Sequence, residues 1–307
     1  MIETILKKEG FQGNILKDSP IGEKTAFKTG GNADYFIEPL NEKSLKIFVD
    51  IMRKNKKTFF VIGAGTNILI KKTGVEYALS LKKGFNGFHI ERETDSEIYL
   101  KVKAGTNLSK LCWFCAKKGY KGLNPLIGIP GLAGGSAFMN AGTDLGTFSD
   151  VIENISVIDD KGIFHKLDKK DIEPFYRGIG IKKKEIKNFI IIEILLRLEK
   201  SEAALIYKEA KALISERKKN QPLKTFNCGC FFKNPKPEMP AGMLIDKAGL
   251  KGKKVGGAMV STKHANFITN EKDASAEDII NLKEIIQLEV RKKFSVNLEP
   301  EVKIVGR

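Results

Sequence analysis

The sequence predicts an α+β protein of two or three domains, and three observations lead there. The chain has 307 residues, enough for more than one hydrophobic core. Its first third alternates strand-like and helix-like stretches. Its last third changes character, with long helical stretches set around a cysteine-bearing turn.

Taken in order, residues 33–39 form a short strand that Pro39 stops. Asn41 then caps a helix whose Leu45, Phe48, Val49 and Met52 recur at i, i+3, i+4 and i+7. Residues 58–62 read as a buried strand running straight into Gly63-Ala64-Gly65-Thr66-Asn67. A strand over 97–102 follows, then a helix over 108–118 ended by Gly119. Beyond a second glycine-rich stretch, residues 152–159 and 189–198 are expected as strands. A helix over about 203–218 leads to the cysteine turn. A long helix opens at Ser275 with Asp278 three residues on, a capping-box start, and places Ile279, Leu282, Ile286 and Val290 on one face. Residues 302–305 close the chain as a short strand. No internal repeat or low-complexity linker interrupts this order.

Composition narrows the class. Hydrophobic residues make up 42% and charged residues 29%, as in ordinary globular proteins. No apolar run approaches ~18 residues, so no membrane span is expected. The opening Met1-Ile2-Glu3-Thr4-Ile5-Leu6-Lys7-Lys8 lacks the pattern of a secretory signal, and a cytoplasmic location is expected. The formal charge of +16 comes from scattered lysines. Their densest runs, at 54–57, 182–184, 217–219 and 291–293, do not interleave with aromatics as a base-stacking surface does. Solvated faces explain them better than a nucleic-acid partner, and the same field favours an anionic small ligand.

Two glycine-rich turns bear on chemistry. Gly63-Ala64-Gly65-Thr66-Asn67 ends a strand, where backbone N–H groups can approach a phosphate. It is not the dinucleotide fingerprint, because Ile68 stands where a third glycine belongs, and no Gly-Lys-Ser/Thr follows. Alone it is weak evidence. Gly128-Ile129-Pro130-Gly131-Leu132-Ala133-Gly134-Gly135-Ser136, continuing into Met139-Asn140-Ala141-Gly142, strengthens it. Packing seldom demands such a density of glycine, whereas backbone threaded against a flat cofactor does.

The four cysteines are Cys112, Cys115, Cys228 and Cys230. The first two fall on the apolar stripe of one helix with Leu108 and Leu111 and lack the flanks of a zinc knuckle, so no metal is expected. A cytosolic setting argues against structural disulfides. In Asn227-Cys228-Gly229-Cys230-Phe231-Phe232-Lys233-Asn234-Pro235, glycine frees the backbone before Cys230 and Pro235 stops any regular element soon after. The thiol is either a reacting group pointed inward or part of a packed loop. Trp113 is expected in the core rather than stacked on a cofactor.

These segments together resemble the UDP-N-acetylenolpyruvoylglucosamine reductases, flavoenzymes of bacterial peptidoglycan synthesis. The resemblance runs from about Thr25 to the C-terminus. It rests on residues 25–34, 63–69, Ile129-Pro130-Gly131, 139–142, Tyr176-Arg177, 231–235, 244–252, Lys263-His264-Ala265-Asn266-Phe267 and Leu298-Glu299-Pro300-Glu301-Val302, in that order and spacing. It implies a two-lobed FAD-binding domain of the vanillyl-alcohol-oxidase-like type plus a smaller α/β substrate-binding domain. The lobes would be 1–84, with 301–307 returning near it, and 85–202; the substrate domain would be 203–300. The span after Arg177 is too short for an extra substrate-covering loop, so the shorter variety of the family is expected.

The resemblance also implies site residues. Gly63, Ala64, Gly65, Thr66, Asn67, Gly131, Asn140, Ala141 and Gly142 would bind FAD non-covalently, with NADPH as co-substrate. Arg177 and Glu301 would stabilise the charge that develops when hydride adds to the enolpyruvyl group, and Cys230 would supply the proton. The commoner pattern has serine at that position; the thiol leaves the reaction class intact and puts rate and pH range in question. Lys233, Asn234 and His264 would bind the UDP-sugar substrate. The alternatives are a turn role for the first two and a structural role for His264 in a strand-like His-Ala-Asn-Phe-Ile. A monomer is expected. Two other readings stay open: a different oxidoreductase of the same flavin superfamily, and a basic nucleic-acid-binding protein.

Overall fold

The structure is a computed structural model describing residues 2–307; Met1, at the head of the expected first lobe, lies outside the described residues. Contacts divide the chain into two units. The first takes the chain to Leu16, then Phe36–Ala64 and Tyr77–Ser215; the second comprises Lys17–Tyr35, Gly65–Glu76 and Glu216–Arg307. Helices and mostly antiparallel strands occur in both, which is the expected α+β class.

The larger sheet of the first unit is built on Phe189–Lys200, which pairs antiparallel with Ile152–Asp159 on one side and Glu97–Lys103 on the other. Phe164–Asp168 and Phe88–Glu93 extend it outward, and Tyr120–Lys121 pairs with the end of the central strand. Alternation turns Ile194, Leu196 and Leu198 inward with Ile98, Leu100 and Val102, and they bury against the stripe of the Leu108–Lys118 helix. Cys112 and Cys115 sit in that stripe, and Trp113 packs against the same core, edge-on to Tyr207. Asn107 caps the helix through Lys110 N–H, and Gly119 ends it in the left-handed conformation at φ 75°.

A four-stranded sheet, ordered Gly13–Ser19, Ala33–Pro39, Val75–Leu79 and Phe60–Val61, precedes it in the chain. Asn41 Oδ1 accepts from Ser44 N–H, and the 42–54 helix buries Leu45, Phe48, Val49 and Met52 as its period requires. The strand expected over 58–62 is shorter and less buried: only Phe60 and Val61 pair, and Val61 is exposed. It is an edge strand with a partner on one side only, so its length of apolar sequence overstates its burial.

The second unit has its own core. The Ala276–Phe294 helix opens with the Ser275–Asp278 capping box and buries Ile279, Leu282, Ile286 and Val290 against Leu244, Ile245, Val260, Phe231 and Phe232. Lys254–Val255, Ala258–Val260 and Ile268–Asn270 form a three-stranded antiparallel sheet. Lys303–Val305 pairs in parallel with Ile68–Ile70, joining the end of the chain to the stretch after the first glycine turn. No helix among the described residues is long and apolar enough to cross a membrane.

Candidate active site

The segment that follows Cys230, Phe231-Phe232, is held from two sides within the second unit. On one side, Asn266 accepts from Phe231 N–H through its carbonyl at 2.7 Å and from Phe232 N–H through Oδ1 at 2.9 Å, while its Nδ2 donates to Phe232 O at 2.8 Å. On the other, Phe231 O accepts the N–H of Glu301 at 2.8 Å. Cys230 and Glu301 are therefore brought together across one backbone pairing. The turn before Cys230 is set by Asn227, whose Oδ1 accepts from Gly229 N–H, and by Gly229 at φ 78°, a conformation glycine adopts without strain.

The two neighbouring cysteines have opposite surroundings. Cys228 is buried, with Sγ directed to the carbonyl oxygens of Ile68 at 3.4 Å and Gly65 at 3.9 Å, and burial pushes its pKa up to about 12. Cys230 is half-buried and lines a cavity of about 480 Å³. Asn234 and His264 line the same cavity, with Lys247, Lys251, Lys263 and a single carboxylate, Asp246. Lysines outnumber the acid, which suits an anionic ligand. Asp246 already pairs with Lys251 at 2.6 Å.

His264 lies in a turn, not in the strand-like segment expected: Phe267 N–H donates to His264 O, and the strand starts only at Ile268. Its Nδ1 accepts Asn266 N–H at 3.2 Å, which leaves the ring proton on Nε2. Burial holds its pKa below the ordinary value, with Lys251 adding to the effect, so the neutral ring is favoured. Lys233 is turned elsewhere: its Nζ pairs with Glu299 at 2.5 Å, and it is not among the cavity's lining residues.

Arg177 lies in the first unit, at the tip of the hairpin formed by Ile172–Phe175 and Gly178–Ile181. Its guanidinium lies 4.9 Å from the Tyr176 ring, and Nη1 donates to Gly142 O at 3.4 Å. Arg177 Nε and Glu301 Oε2 are both buried polar atoms.

The glycine turns meet two different needs. Among the described residues, none accepts a hydrogen bond from the N–H of Gly63, Ala64 or Gly65, and a Cβ at Gly63 would meet nothing within 4 Å. The open position at Gly63 fits the approach of a dinucleotide cofactor's phosphates, whereas Gly65 is buried, where a Cβ would lie 2.9 Å from Thr25 Cα. Gly135 also faces open space, and Gly131 holds φ 156°. Gly134 and Gly142 instead serve packing: a Cβ would lie 2.6 Å from Ala104 Cβ and 2.6 Å from Gly146 O respectively. The N–H groups of Asn140 and Ala141 are spent on Ala137 O and Ser136 O. Within the second unit, Asn67 Nδ2 donates to Glu301 O at 3.3 Å and Asn67 O accepts Lys303 N–H.

Sequence reasoning did not assign Asn266, though it lies in a quoted motif, because nothing local says that its amide would clamp a segment 34 residues away. Arg217 also stands near Cys230. It is half-buried, and burial holds its pKa below the ordinary value, with Cys230 acting in the opposite sense.

Comparison with known proteins adds the family. Residues 221–305 match the C-terminal domain of UDP-N-acetylenolpyruvoylglucosamine reductase, and residues 33–168 match an FAD binding domain. The UDP-N-acetylenolpyruvoylglucosamine reductase of Clostridium botulinum (strain 657 / Type Ba4) is 37% identical over 95% of this chain and 93% of its own. That of Desulfosudis oleivorans is 34% identical over 97% and 96%. The crystal structure of UDP-N-acetylenolpyruvylglucosamine reductase from Thermus caldophilus matches with a TM-score of 0.79 at 30% identity, covering 96% of this chain and 99% of that one. Near-full-length identity at this level, with both domains in order, places the chain in the UDP-N-acetylenolpyruvoylglucosamine reductase family as an FAD-dependent oxidoreductase.

Proposed function

We propose that this enzyme reduces the enolpyruvyl group of UDP-N-acetylglucosamine enolpyruvate to give UDP-N-acetylmuramate for peptidoglycan synthesis, with NADPH as reductant. Gly63, Ala64, Gly65, Thr66, Asn67, Gly131, Ala141 and Gly142 would hold FAD. Bound FAD supplies the hydride chemistry between NADPH and the enolpyruvyl group. The organisation that goes with this reading is two flavin lobes, 1–84 and 85–202, with 301–307 returning near the first, and a substrate domain over 203–300. The enzyme would act as a cytoplasmic monomer with no nucleic-acid partner.

The chain's own residues divide the remaining work. Hydride addition to an enol ether bearing a carboxylate builds negative charge on that carboxylate. The Arg177 guanidinium offers the fork that suits it. Glu301, as a protonated or proton-sharing carboxyl, offers a second hydrogen bond to the same charge. Cys230 Sγ then gives its proton to the electron-rich carbon, and must be a thiol, not a thiolate, to do so. Asn234 and His264 bind the nucleotide sugar, His264 through neutral Nε2–H, and Lys233 borders them. The observation that carries the reading is the cavity in which Cys230, Asn234 and His264 meet under an excess of lysine, one backbone pairing away from Glu301.

Stopped-flow measurement of the two half-reactions tests it. Arg177→Ala and Glu301→Ala should leave flavin reduction by NADPH nearly intact and slow reoxidation by the sugar nucleotide, because both groups act on charge present only in the second step. Equal slowing of both half-reactions would overturn these roles. Denaturation should release all of the yellow colour; flavin retained on the chain would contradict non-covalent binding.

A further inference from the structure

We infer that Asn140 is a positioning residue for Arg177, acting through the hairpin that carries the guanidinium rather than on the flavin. The inference rests on the role proposed above for Arg177. Asn140 is 6% exposed and stands in the left-handed region at φ 42°, which asparagine tolerates better than most residues. Its amide is committed at both ends to main-chain groups of this chain. Oδ1 accepts the N–H of Ser149 at 3.0 Å, and Nδ2 donates to the carbonyl of Phe175 at 3.4 Å. Its own N–H donates to Ala137 O.

Phe175 is the residue from which the hairpin turns. It pairs with Gly178, so Tyr176 and Arg177 are the two residues of the loop itself. Arg177 has φ 64°. A side chain with a Cβ is strained in that conformation, and such strain persists only where the surroundings hold it. The holding groups come from the 140–142 segment: Asn140 fixes the carbonyl at the base of the loop, and Gly142 O accepts from the Arg177 guanidinium. Oδ1 meanwhile anchors that segment to the short helical turn Phe148–Val151, itself capped by Thr147 and Asp150. The 140–142 segment is thus braced on one side and grips the arginine loop on the other. Loss of the grip lets the loop relax, and a displacement of about 1 Å in a reacting geometry costs up to about 10²-fold in rate.

Asn140→Asp separates this role from a flavin contact. It keeps the acceptor for Ser149 N–H and tolerates positive φ, but sets a carboxylate against Phe175 O. Asn140→Gly, which also tolerates the backbone, serves as the second variant. Both should retain FAD and normal reduction by NADPH, while reoxidation by the enolpyruvyl nucleotide falls by about 10- to 100-fold. In an Arg177→Ala background the same changes should have no further effect, since the residue they position is gone. Loss of FAD or slowed reduction by NADPH would overturn the inference and make Asn140 a flavin residue. Equal fold-losses in the presence and absence of the Arg177 side chain would overturn it too. A wild-type enzyme that binds FAD and oxidises NADPH but never turns over the sugar nucleotide would sink the proposed function itself, and the role of Arg177 with it.

Discussion

Replacing Asn266 with alanine should damage stability and turnover together, and the structure sets the scale. Asn266 is 2% exposed and Phe232 is 1% exposed. The side chain supplies two hydrogen bonds, from Phe232 N–H at 2.9 Å and to Phe232 O at 2.8 Å. The bond between the Asn266 carbonyl and Phe231 N–H is made by the main chain and survives the substitution. Alanine therefore strands one buried donor and one buried acceptor. Each stranded group costs about 1–3 kcal/mol, so the total should be about 2–6 kcal/mol. That is a large share of a typical margin of about 5–15 kcal/mol. Urea unfolding gives the energy, and hydrogen exchange on the peptide spanning 228–234 gives the place. The expected result is a lower midpoint with protection at Phe232 lost. Because Cys230 lies two residues from the loosened amide, turnover should fall while bound FAD is kept. A loss under about 1 kcal/mol with exchange unchanged would mean that water replaces the amide, and the clamp would be refuted.

Cys230→Ala should lose roughly 10²–10⁴-fold in turnover, the range for a positioned acid, whereas Cys230→Ser keeps substantial activity; normal turnover by the alanine variant would end the assignment. In the native protein one thiol, Cys230, should alkylate readily while Cys112, Cys115 and Cys228 wait for denaturant, because burial raises the pKa of all three; mass mapping of the labelled peptides decides this. The depressed pKa of His264 has a definite sign: as pH falls below about 6.5 the unfolded chain takes up the proton first, so stability drops. Urea midpoints measured between neutral and mildly acidic pH should show that drop in wild type and a smaller one in His264→Gln; identical slopes would show that His264 is not its source.

Much of this protein was legible in its sequence, and the reason is local. The caps at Asn41 and Ser275 and the stripes of the 42–54, 108–118 and 276–294 helices depend on residues within one or two turns of each other, so their periodicity survives in one dimension. The glycine turns and the Cys230 motif could be seen for the same reason. What folding alone decided is every pairing between distant segments. Val61 is exposed because its strand ends up at a sheet edge, a fact absent from its own sequence. His264 sits in a turn because Phe267 N–H closes on its carbonyl, although the apolar run looked extended. Lys233, adjacent to Asn234, turns to Glu299 instead of the cavity because the 298–301 segment runs beside it. The sharpest case is the cysteine pair. Cys228 and Cys230 differ by one glycine in sequence, yet one thiol is sealed against the carbonyls of Gly65 and Ile68 while the other lines a cavity. Sequence determines that a tight turn with two cysteines exists; only the packing of remote backbone against it decides which sulfur is sealed and which lines a cavity, because burial is a property of neighbours and not of the residue itself.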